Sequence, residues 1–165
     1  MELEEGHIKR FNIPIVGIIE KNVEFFSPRV SEVLASIGGE LINDAAALGL
    51  DNLVESYIIG AMNAQAAAKY LKQVNKFALI TGGDRTDLSL AGLVEDISCL
   101  ILTGFMQPDI KVIIAVNEKK VPIILSPSDT YTTLRNLNRL KPGIQQDEIS
   151  KVLVIEFIDW ELLLS

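Results

Sequence analysis

The chain has 165 residues, enough for one sizeable core and too few for two independent ones. It is 48% hydrophobic, with a mean hydropathy of +0.30 and a net charge of -7, yet no apolar run approaches the roughly 18 to 20 residues of a membrane span. Acidic residues are spread along the chain, which argues against nucleic acid or an anionic membrane as partner, since both call for concentrated Lys and Arg; the surplus apolar surface is expected to meet another subunit, as in a homodimer.

Residues Met1 to Arg10 are charged and lack the apolar stretch of a secretion signal, so a cytoplasmic location is the expectation. His7 within them reads as incidental. Ile13 to Ile19 reads as a strand, and Ser27-Pro28 as an N-cap followed by proline at the first helical position. Val30, Val33, Leu34 and Ile37 then trace one helical face, Gly38-Gly39 ends that helix, and Glu40 to Asn43 reads as a short strand.

From Tyr57 onward, β-like runs recur at near-even spacing: Tyr57 to Gly60, Phe77 to Thr81, Cys99 to Thr103 and Val121 to Leu125. Helical stretches lie between them, clearest at Asn63 to Gln73, where Ala64, Ala66, Ala67, Ala68 and Leu71 favour helix. Strand, helix, strand at this period means parallel βαβ units. The runs Cys99 to Leu102 and Val121 to Leu125 lack alternation, as expected of strands covered on both faces. The fold class is therefore α/β, a mainly parallel sheet between helices. Cys99, the single cysteine, falls in such a run and reads as a small buried apolar residue. A helix begins near Thr130 and is broken at Lys141-Pro142-Gly143; Asp147 can cap a last helix through Leu164 that is apolar on more than one side. Residues 1–165 read as a single domain: an N-terminal strand–helix extension (1–50), a core (51–140) and a C-terminal helix (145–165).

In a parallel sheet, ligands favour the crevice outside the carboxyl ends of the strands. Three consecutive strand ends deliver Thr81-Gly82-Gly83-Asp84-Arg85-Thr86-Asp87, then Thr103-Gly104, then Ser126-Pro127-Ser128-Asp129-Thr130-Tyr131-Thr132-Thr133 to that rim. Glycines permit close backbone approach, while hydroxyls and N–H groups hold oxygen-rich ligands. Arg85 is either a clamp for a carboxylate or phosphate or the structural partner of its neighbouring acids. Asp84 and Asp87 also resemble a helix-capping pair, and Ser128 or Asp129 can cap the helix that follows.

Enzyme signatures are weaker. No phosphate loop, dinucleotide fingerprint or nucleophile elbow occurs, and no histidine is placed to act as a base. No cofactor, metal or catalytic residue is expected, although Asp84, Asp87 and Asp129 would suit Mg²⁺ if they converged.

At these residues the chain resembles the DRTGG-domain family, whose naming motif is matched by Asp84-Arg85-Thr86 within Ile80-Thr-Gly-Gly-Asp-Arg-Thr-Asp87. Cys99-Leu-Ile-Leu-Thr-Gly104 and Ser126-Pro-Ser-Asp-Thr-Tyr-Thr-Thr133 are also similar to its pattern, so the resemblance spans about Tyr57 to Leu140. Asp87-Leu88 stand where the family name has two glycines. The resemblance implies an α/β domain like the N-terminal domain of HPr kinase, found beside CBS domains and inside long phosphotransacetylases, where it is regarded as regulatory. Ile13 to Ile19, Ser27-Pro28 and Glu40 to Asn43 also look like the stretch that joins a P-loop domain to a DRTGG domain. The nucleotide-binding part itself does not occur in this sequence, which implies either a detached regulatory piece working with a separate P-loop or acyltransferase partner, or a remnant.

These features lead to the expectation of a non-catalytic regulatory module that binds a small anionic metabolite or nucleotide. Arg85 would be the clamp, with Gly82 and Gly83 allowing close approach and Thr86 and Thr103 giving hydroxyl contacts. Asp84 and Asp129 would orient loops or a ribose, with Thr81, Gly104, Ser128 and Thr130 completing the site. A purely structural oligomerisation module and an acyltransferase subunit are the alternatives.

Overall fold

The computed structural model describes residues 23–43, 47 and 49–140. The strand expected at Ile13 to Ile19, the break at Lys141 to Gly143 and the final helix to Leu164 lie outside them. The chain divides into two compact units, Phe26–Gly143 and a second drawn from Met1–Phe25 and Ile144–Ser165. The strands and α-helices of the described residues, from Val30 to Leu137, all fall in the first.

Five strands form one sheet: β1 (Glu40–Leu41), β2 (Ser56–Ile59), β3 (Phe77–Gly82), β4 (Ile97–Thr103) and β5 (Ile123–Leu125), in the order β1-β5-β4-β3-β2. Strands β2 to β5 pair in parallel, and β1 closes the far edge antiparallel to β5. The helices are α1 (Val30–Ile37), α2 (Ala64–Leu71), α3 (Thr86–Gly92), α4 (Ile110–Lys119) and α5 (Thr130–Leu137).

Alternation along the strands sorts the core into two layers, because successive side chains leave opposite faces of a sheet. Phe77, Leu79, Leu100, Leu102, Ile123 and Leu125 meet Leu71 of α2, Leu88 of α3 and Val112 and Val116 of α4 on one face. Ala78, Ile80, Cys99, Ile101 and Ile124 meet Val30, Val33 and Ile37 of α1 and Leu137 of α5 on the other. The result is a three-layer sandwich. All seven residues of β4 are buried, the reason its sequence shows no polar alternation. Burial pushes the Cys99 thiol up to about 12, leaving it protonated and inert at neutral pH.

The N-terminal cap differs from the sequence expectation. Ser27-Pro28 lies in an extended segment, held by Val54 N–H donating to Pro28 O at 2.8 Å and by a bridge between Arg29 and Leu53. Arg29 is the N-cap of α1 instead, and its N–H donates to the Glu32 carboxylate at 2.8 Å. Gly38 ends α1 in the left-handed region, as its position implied.

Asn43 ties the short strand β1 into the sheet. Its buried side chain donates to Val121 O (2.9 Å) and Asn117 Oδ1 (3.2 Å) and accepts from Ile123 N–H (2.8 Å). No helix among the described residues is long and apolar enough to cross a membrane.

Candidate functional site

Strands β2 to β5 follow one another across the sheet, so their carboxyl ends bring four loops side by side: Gly60–Asn63, Gly83–Arg85, Gly104–Asp109 and Ser126–Asp129. The chain leaves β4 toward α4 on one face and leaves β5 toward α5 on the other. Neighbouring strands whose connections part in this way mark the place where α/β sheets open a crevice. Here that crevice is closed by the chain itself. Gly104 N–H donates to Ser128 O at 2.9 Å and Phe105 N–H to Ser126 O at 3.0 Å.

The hydroxyls along this seam are turned inward. Thr103 Oγ1 pairs with Thr130 Oγ1 at 2.9 Å and donates to Thr81 O at 3.4 Å, while Ser126 Oγ and Thr133 Oγ1 share a hydrogen bond of 2.8 Å. Asp129 caps α5, accepting from Thr132 N–H at 3.0 Å and from the Thr132 hydroxyl at 2.8 Å. Thr103, Thr130, Ser128 and Asp129 thus do structural work in this arrangement. Thr81 Oγ1 is buried without a hydrogen-bond partner and lies behind Gly60.

Those two bonds from Thr132, backbone first, hold the Asp129 carboxyl below the usual carboxylate range. A depressed folded-state pKa stabilises above the unfolded value of about 4 and is lost as pH falls through the lowered one. The Thr132 amide resonance is expected to titrate below that ordinary range; a midpoint at or above about 4 would show that the cap is not formed in solution.

The glycines at the end of β3 serve close approach by the chain's own atoms. A Cβ on Gly83 would collide with the carbonyl oxygen of Met106, and one on Gly82 would lie 2.5 Å from Asp84 Oδ1. Asp84 is not a helix cap: α3 starts at Thr86 with Arg85 at the N-cap position and no side-chain cap. Asp87 is turned back to Arg85, whose Nε and Nη2 donate to its two oxygens at 3.1 and 3.2 Å. This fork lowers the Asp87 pKa and raises that of Arg85. Nη2 also donates to Met62 O at 3.1 Å, fastening the loop after β2 to the loop after β3. Arg85 Nη1 and the Thr86 hydroxyl make no hydrogen bond to any described residue.

The structure therefore gathers Gly82 to Thr86 with Met62 and Met106 in one part of the rim, and Thr103, Ser128, Asp129 and Thr130 in the seam beside it. Met62 and Met106 gave no signal in the sequence, because their contacts run through backbone carbonyls. An aromatic residue straight after Thr103-Gly104 was the available hint for Phe105. Asp84, Asp87 and Asp129 do not converge, and among the described residues no three His, Cys, Asp or Glu side chains form a set able to hold a metal ion.

The sequence matches the DRTGG domain over residues 32–140. It is 32% identical over 147 residues to the phosphate acetyltransferase of Nitratidesulfovibrio vulgaris, covering 83% of this chain and 20% of that protein. It is 27% identical over 125 residues to the uncharacterized protein YtoI of Bacillus subtilis, covering 76% of this chain and 26% of the other. The chain thus spans about a fifth and a quarter of the length of these two relatives. The fold is similar to the CBS and DRTGG domains of the regulatory region of Clostridium perfringens pyrophosphatase, solved in complex with the activator diadenosine tetraphosphate. That likeness has a TM-score of 0.55 at 17% identity and covers 93% of this chain and 68% of that one. With the motif at Asp84 to Thr86 on the rim of a parallel sheet, and the domain match extending over most of the described residues, the chain belongs to the DRTGG-domain family.

Proposed function

We propose that this chain is a non-catalytic, cytoplasmic regulatory module that receives a small anionic metabolite or nucleotide beside Arg85 and passes the signal on through association, as a dimer or with a separate P-loop or acyltransferase partner. The observation that carries this reading is the state of Arg85. One of its terminal nitrogens makes no hydrogen bond to a described residue, nor does the hydroxyl of Thr86, the next residue in the chain, and its fork with Asp87 is an exposed ion pair, which a phosphate or carboxylate can replace with little loss. Because the same guanidinium holds Met62 O, exchanging Asp87 for a ligand would alter the link between the loops after β2 and β3. The complex of the pyrophosphatase regulatory region with diadenosine tetraphosphate supports a nucleotide as the ligand class. Asp84, exposed and next to Arg85 in the chain, favours a phosphate chain whose charge is partly met by a bound cation.

Thermal unfolding against ATP, diadenosine tetraphosphate, coenzyme A and acetyl phosphate, each with Mg²⁺, tests the reading. A ligand of the native state at about a hundredfold excess over its Kd is expected to raise Tm by roughly 5 to 10 °C, and Arg85→Ala to abolish the rise while remaining folded. A shift that survives Arg85→Ala would remove the clamp; turnover of acetyl phosphate by the purified chain would overturn the non-catalytic reading.

A second reading, a purely structural oligomerisation module, is favoured by the inward turn of Thr103, Thr130, Ser126 and Thr133. It predicts a stable multimer whose Tm no member of the panel changes.

A further inference from the structure

Beyond the Arg85–Asp87 fork, the same rim carries exposed apolar side chains on a backbone that is held in a costly conformation. Phe105 has φ of 57°, next to Gly104 at 74°. A bulky residue rarely adopts this region, and it persists only where its surroundings impose it. They do so here through the two hydrogen bonds to Ser126 O and Ser128 O, yet Phe105 is 53% exposed and belongs to neither layer of the core. The exposed apolar residues sit on adjoining loops of the rim. Met106 lies against Gly83, Met62 is fastened by Arg85, and both side chains are exposed. It extends along α4, where Ile110 and Ile114 stand exposed one turn apart, on the side opposite the buried Val112 and Val116. A helix apolar on both sides, beside exposed Phe and Met, marks an interaction surface.

Charge decides its occupant. Asp84, Asp87, Asp109 and Asp129 are exposed: Asp109 ends the loop that bears Phe105 and Met106, Asp84 and Asp87 flank Arg85 next to Gly83, and Asp129 follows the serines whose carbonyls hold Gly104 and Phe105; against them stand Arg85, already forked to Asp87, and Lys111. The whole chain carries -7. A two-fold contact between copies of this face would set these aspartates against their equivalents, a repulsive arrangement. We propose that the Phe105–Met106–α4 face is a docking surface for a basic amphipathic helix of another protein, whose apolar side covers Phe105, Met106 and Ile114 and whose Lys or Arg residues meet the surrounding aspartates.

The test is fluorescence anisotropy of a labelled amphipathic Leu/Lys peptide titrated with the chain, beside a Leu/Glu peptide of the same pattern. Phe105→Asn keeps a residue that tolerates positive φ, and Ile114→Ser changes an exposed helical site; thermal unfolding of each verifies the fold. The Leu/Lys peptide is expected to bind, more weakly as salt rises, and each substitution to lower its affinity about tenfold or more. The Leu/Glu peptide is expected not to bind. Equal binding of the two peptides, affinity unchanged by both substitutions, or self-association that Phe105→Asn abolishes would overturn the proposal. A nucleotide shift that needs Arg85 is expected to persist in Phe105→Asn, so the failure of either proposal leaves the other readable.

Discussion

Gly83→Ala is expected to destabilise the Phe26–Gly143 unit by about 3 kcal/mol, the upper range for overpacking. The added methyl would meet the Met106 carbonyl oxygen and stand 2.7 Å from its carbon and 2.9 Å from Met106 Cβ. Backbone, not a side-chain tip, is in the way. Met106 has little room to retreat, because Gly104 and Phe105 just before it are fastened to Ser128 O and Ser126 O. Gly82→Ala provides the contrast. Its methyl would meet only the carboxylate of Asp84, the far end of an exposed side chain, so a cost below about 1 kcal/mol is expected. Urea unfolding of the two variants checks both values. Equal costs, or a Gly83→Ala effect within about 0.5 kcal/mol of zero, would mean that the loop after β4 does not lie over β3.

Asn43→Ala is expected to cost about 3 kcal/mol through a different mechanism. The side chain makes three hydrogen bonds, and its removal leaves Ile123 N–H and Val121 C=O without this partner at the buried start of β5. An unsatisfied buried backbone group costs more than the net worth of the bond it lost. Since β1 has two residues, the loss is expected to show first as faster amide exchange at Leu41 and Ile123, before global unfolding. Unchanged exchange at both positions would contradict the tie between β1 and β5.

The parallel strands were legible because burial on both faces writes itself as unbroken apolar runs, and Asn63, Gly38 and Asp129 mark helix ends by local chemistry alone. What stayed hidden depends on distant partners. Asn43 reaches residues 74 to 80 positions away, and Gly83 is small for the sake of Met106. Ser27-Pro28 looks like a helix start, but pairing with Leu53 and Val54 keeps it extended and moves the cap to Arg29. At the rim, the loops after β3, β4 and β5 share one edge of the sheet, as the order of parallel strands implied. The inward pairing of Thr103 with Thr130, and the turn of Asp87 toward Arg85 in place of a capping role, follow from how adjacent loops close on each other.

In the proposed function, the Gly82–Thr86 part of the rim is the receiving site. Chemical-shift mapping of the labelled chain with Mg²⁺ and diadenosine tetraphosphate tests this most directly. The predicted result is perturbation centred on the amides of Gly83 to Asp87 and on Arg85 Nε, with a smaller change at Met62 and none in Arg85→Ala. Perturbations centred on α1 or β1, or a spectrum unchanged at saturating ligand, would contradict it.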